Sequence, residues 1–90
     1  MSGRPKAFLM DRDIDPAYGI SECWQTEDGK IFDVDFNIHV RQTMVCPYDM
    51  EHGRVESWEP LGVWRHKDMT GGRAMRDMGY EPVEDGDGDE

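Results

Sequence analysis

Cys23, His39, Cys46 and His52 offer the clearest chemistry in this chain, because thiols and imidazoles are the preferred ligands of zinc. A tetrahedral zinc site draws on four such groups and usually holds one pair separated by about two to five residues. Cys46 and His52 match that spacing loosely, while Cys23 and His39 are scattered. The plainer expectation is a small buried Cys23 beside Trp24 and a His39 on the wet face of a strand, with neither metal nor cofactor. A second constellation is Asp11, Asp13, Asp15 and Glu22, which fall at positions 1, 3, 5 and 12 of a calcium loop. Position 6 of such a loop needs a glycine for its sharp turn, and here it is Pro16, which cannot take positive φ. No amphipathic helix flanks the segment, so calcium is not expected.

His39 together with Asp33 and Asp35 has the composition of acid–base machinery. On one strand face, however, residues two apart lie about 7 Å apart, which puts His39 beyond hydrogen-bond reach of Asp35. Thr70-Gly71-Gly72-Arg73 is a weak phosphate-cradle signal at a helix start. Neither a nucleophile elbow nor a Walker loop is present. These residues point away from an enzyme.

The elements that must position them follow from pattern. Phe32, Val34, Phe36, Ile38 and Val40 alternate with Asp33, Asp35, Asn37, His39 and Arg41. That period of two predicts a strand with one dry and one wet face. Ile20 to Gln25 is a plausible partner, and Glu27-Asp28-Gly29 supplies the turn, so 20–40 reads as an antiparallel hairpin. Lys6 to Met10 is a first strand or an arm, and Asp15-Pro16 marks a turn. Cys46 to Asp49 reads as a loop, Arg54 to Trp58 as a third strand, and Leu61 to His66 as its continuation or a fourth. Ala74, Met75 and Met78 share one face of a short helix near 70–79, ended by Gly79. The expected fold is therefore α+β: a three- or four-stranded antiparallel sheet with one short C-terminal helix on its dry face. Residues 1–83 form the domain, and 84–90 are expected to be a disordered acidic tail.

Charge gives the strongest functional signal. The chain holds 20 acidic and 10 basic residues, a net charge of −10. Residues 11–35 hold eight acids against two bases, and residues 81–90 hold six acids and no base. Such a surface repels phosphate and attracts basic grooves. No stretch reaches the roughly eighteen apolar residues of a membrane helix, and two cysteines are too few for a disulfide scaffold. A cytoplasmic setting is the expectation, with no membrane partner and no direct contact with nucleic acid.

In size, acidity and lack of motif, the chain resembles in kind the small inhibitors that phages carry, anti-CRISPR and DNA-mimic proteins among them. That resemblance implies a non-enzymatic inhibitor or adaptor whose partner is the basic surface of a nucleic-acid-binding complex. The residues expected to meet that partner are Asp11, Asp13, Asp15, Asp33 and Asp35, with Glu56 and Trp58. Trp58 would stand among charges if Val55 faces the core, as a binding hot spot does. Two alternatives are a structural subunit docking through aromatics and methionines, and a small zinc domain using Cys23, His39, Cys46 and His52.

Overall fold

The structure, a computed structural model, describes residues 3–57, 59–65 and 71–83. Trp58 and the segment 84–90 lie outside the described residues. Along the chain run β1 (Lys6–Asp15), β2 (Gly19–Thr26), β3 (Ile31–Asn37), β4 (Gln42–Asp49), β5 (Arg54–Val55), β6 (Gly62–Arg65), α1 (Gly71–Asp77) and β7 (Glu81–Val83). They form a seven-stranded sheet in the order β5-β4-β3-β2-β1-β7, with β6 also beside β4. The small, wholly antiparallel sheet of three or four strands is thus overturned. The sheet is larger and mixed, because β7 returns parallel to the start of β1, with Lys6 opposite Glu81 and Phe8 opposite Val83. The one short helix among the described residues is as expected.

The β2–β3 hairpin forms where alternation placed it, with Trp24 opposite Phe32 and Ile20 opposite Phe36. Thr26 donates its N–H to Lys30 O at 2.8 Å, and Gly29 takes φ 90° in the turn. The strand ends at Asn37, not at Val40. Asn37 Oδ1 accepts the N–H of His39 at 2.8 Å, and Arg41 turns at φ 52°, which breaks the extended run. Of the five apolar residues expected to face the core, Phe32 and Val34 are buried and Phe36 is half-buried. Ile38 and Val40 are exposed in the turn.

The expected loop over Cys46–Asp49 is part of β4 instead. Proline is tolerated there because of which way its nitrogen points. The Thr26–Lys30 bond turns the main-chain groups of even residues of β2 toward β3. Phe32, opposite Trp24, therefore turns its own toward β2, and Pro47, opposite Phe32, turns away from β3. The missing N–H consequently falls on the outer side of β4, where only the carbonyl of Pro47 is used. It accepts from Glu56 N at 2.8 Å. The third strand shrinks to Arg54–Val55, and Gly62–Arg65 runs along the first half of β4.

Helix α1 packs on one face of the sheet. Ala7, Trp24, Phe32, Val34, Val45, Ala74, Met75 and Tyr80 are its buried core, with Leu9, Trp64 and Met78 packed at the margin. The glycine at 71 serves close approach. A Cβ at Gly71 would meet Glu22 Oε1 at 1.9 Å and Trp24 Nε1 at 2.7 Å. At the far end Tyr80 donates its hydroxyl to the Asp28 carboxylate at 3.1 Å, tying the strand after the helix to the β2–β3 turn.

Candidate functional site

Residues opposite one another across a ladder point to the same side of a sheet, so the register assigns each face. Ala7, Thr26, Trp24 and Phe32 face the helix. On the other face, one row crosses four strands as Asp11, Cys23, Asp33 and Cys46. The next row is Asp13, Ser21, Asp35, Met44 and Val63, and Asp15 begins a third with Gly19, Asn37, Gln42 and, in register at its far end, Arg65. The five aspartates singled out in the sequence therefore share one open face, although twenty residues separate Asp13 from Asp33. A bulge between Leu9 and Asp11 makes this possible. It flips the parity of β1, so that Leu9 packs with the core while Asp11 faces away.

The face is not uniform. Asp11, Asp13 and Asp15 are exposed, and Asp33 and Asp35 are half-buried because strands flank them on both sides. Their cross-strand neighbours Cys23, Ser21, Met44 and Cys46 carry no positive charge. Asp33 pays for this with its ionisation. Desolvation, with the hydrogen bond and like charge of Asp35, pushes its carboxyl up to about 8. The thiol of Cys23 is pushed up by burial and by the charges of Asp33 and Asp11, and that of Cys46 by burial, Asp33 and Asp35. Both are free cysteines in an acidic setting, which disfavours the reactive thiolate. Asp11, Asp13 and Asp33, with Met10, Met50 and Tyr48, line a hollow of about 400 Å³. Met10 and Met50 are each 56% exposed at its rim.

The remaining expected residues lie elsewhere. Glu56 is exposed and borders a separate groove of about 610 Å³ with Phe32, Tyr48, Leu61, Met78 and Tyr80. His39 sits in the turn after β3, its Nε2 at 2.8 Å from Ala17 O. His52 Nδ1 is 2.5 Å from Asp49 Oδ2, and this contact holds the Asp49 carboxyl below its ordinary range. Cys23 and Cys46 occupy strands on either side of β3, so the four zinc candidates are dispersed and not converged. Among the described residues, the three metal-ligating side chains whose ligand atoms all lie within 4.8 Å of one another are Asp49, Glu51 and His52, an exposed turn whose hydrogen bonds are internal. The calcium-like series is split between faces. Glu22 points to the helix side, where its carboxylate accepts from Arg12 Nε at 2.7 Å and Trp24 Nε1 at 2.8 Å. Gly71 packs against that same carboxylate, so the start of α1 is filled by Glu22.

Sequence reasoning missed the thiols as the floor of the carboxylate rows, and Met10, Tyr48 and Met50 as walls of the hollow. Only the strand register could have joined them. Chemically the arrangement suits a cation: carboxylates spaced about 7 Å along each strand, with apolar side chains to cover the stem of a lysine or arginine. No family model, curated protein or solved structure matches the chain. No helix among the described residues is long and apolar enough to cross a membrane.

Proposed function

We propose that this chain is a non-enzymatic binding protein whose open sheet face seats a basic protein surface of the kind that nucleic-acid-binding proteins use for phosphates. The observation that carries the reading is the convergence of Asp11, Asp13, Asp15, Asp33 and Asp35 on one face with no basic residue directly opposite any of them among the described residues. A like-charged cluster of this kind costs the fold stability, and an approaching cation relieves that cost. The carboxylate rows stand in for a phosphate backbone, and the hollow takes a basic side chain. An inhibitor or adaptor of a nucleic-acid-binding complex, such as phages use against their hosts, is the role this surface would suit.

The test is capture from a host lysate with immobilised protein, comparing the unaltered chain with Asp11→Asn/Asp13→Asn/Asp15→Asn. These three residues are exposed, so the variant should fold normally. Basic nucleic-acid-binding proteins should be retained by the unaltered chain alone and released by moderate salt or competing DNA. Equal retention by both proteins would remove the acidic face from the account. The groove beside Phe32 and Tyr80, with Leu61 54% exposed at its edge, favours a second reading, docking through apolar side chains. Leu61→Arg should abolish capture in that case, and salt should not.

A further inference from the structure

Strand β7 covers only Lys6–Phe8 of β1, and among the described residues no strand pairs with the outer edge of β1 beyond that point. The direction of the main-chain groups there can be derived. Odd residues of β2 turn toward β1, so Asp11, Asp13 and Asp15, opposite Cys23, Ser21 and Gly19, are spent on β2. The main-chain N–H and C=O of Ile14 therefore point outward, and its side chain is 64% exposed. An edge of this sort is a template for another strand unless something blunts it.

A second copy of this chain is a poor occupant. Antiparallel pairing of β1 with itself would set aspartate against aspartate on the open face, and like charges directly opposite are destabilising. The same geometry favours the opposite sign. A strand added at this edge places its alternate side chains beside Asp11, Asp13 and Asp15, about 4.5–5.5 Å away between Cβ atoms. We infer that the outer edge of β1, centred on Ile14, is extended by a β-strand of the partner that carries lysine or arginine at every second position. Main-chain hydrogen bonds supply affinity, and the aspartate row selects the charge pattern. The inference rests on the acidic-face reading above and adds how the partner is held.

The probe is a short synthetic peptide alternating lysine with valine, set against a peptide of the same composition with its lysines gathered at one end. The alternating peptide should bind about tenfold more tightly, as expected where register matters and not charge alone. It should also slow hydrogen exchange of the Ile14 amide. Ile14→Pro deletes that outward N–H and should bring the alternating peptide down to the level of the block peptide. Should that variant fail to fold, the exchange measurement on the unaltered chain still decides the matter. If both peptides bind alike and Ile14 exchange is unchanged, strand addition is wrong and the acidic face survives. If neither peptide binds, both inferences fall.

Discussion

Glu22 and Asp33 sit on neighbouring strands of one sheet, on opposite faces, and both are carboxyl groups drawn out of water. Glu22 is 5% exposed and fully partnered, with Arg12 and the Trp24 indole on its oxygens and Gly71 packed against it. Asp33 has another carboxyl beside it and thiols on either side. The helix face has thus turned a charge into structure, while on the open face no base lies directly opposite an aspartate among the described residues. A sheet that satisfies one buried acid so completely has the means to satisfy another. The proposed binding role draws on the acids that it leaves without such partners on the open face.

The contrast can be broken most forcefully from the helix side. Trp24 is fully buried, and Trp24→Ala should cost about 3–5 kcal/mol, enough to unfold much of so small a domain. Asp13→Ala on the open face should stay within about 0.5 kcal/mol. Urea titration of both variants checks the difference. Next in size come Glu22→Ala, which strands the Trp24 N–H, and Gly71→Ala, which drives a methyl into the Glu22 carboxylate. Each should cost roughly 1–3 kcal/mol by the same titration.

A smaller effect sharpens the other side of the comparison. The Asp33 carboxyl stands at about 8 in the fold against an ordinary 3.8, so between those values the folded chain holds more protons than the unfolded one. The stability that Asp33 contributes is then fully present below about pH 4 and declines as pH rises through 8. Thermal melting at a series of pH values should show that decline. Asp33→Asn, which cannot ionise, should flatten it and melt higher than the unaltered chain above pH 8. A melting temperature that climbs across this range in the unaltered chain would contradict the burial of the pair.

Part of this was legible in the sequence, for definite reasons. The hairpin of β2 and β3 could be read because Phe32, Val34 and Phe36 alternate with polar residues of strong contrast. The helix could be read because Ala74, Met75 and Met78 repeat at helical spacing. The acidic half of β1 could not be read as strand, since aspartate disfavours strands and Asp-Pro marks a turn. Its alternation of Asp11, Asp13 and Asp15 with Arg12 and Ile14 was nonetheless a period of two. Pro47 concealed β4, because whether its nitrogen faces a neighbour depends on a register set twenty residues earlier. Three-residue β7 carries no pattern of its own and is defined by the strand it joins. The aspartates of the site were nameable by type. Their meeting on one face, and the half-burial of Asp33, depend on a bulge and on flanking strands that no local pattern encodes.

The most direct test of the acidic face is the affinity of its captured partner for three proteins, measured at low and at physiological salt: the unaltered chain, Asp11→Asn/Asp13→Asn/Asp15→Asn, and Leu61→Arg. The triple variant should lose most of its affinity and most of its salt dependence, about 2–5 kcal/mol if the contact is desolvated, while Leu61→Arg should bind as the unaltered chain does. The reverse pattern, with binding indifferent to salt and to the three asparagines but lost in Leu61→Arg, would move the interface to the apolar groove and contradict the account.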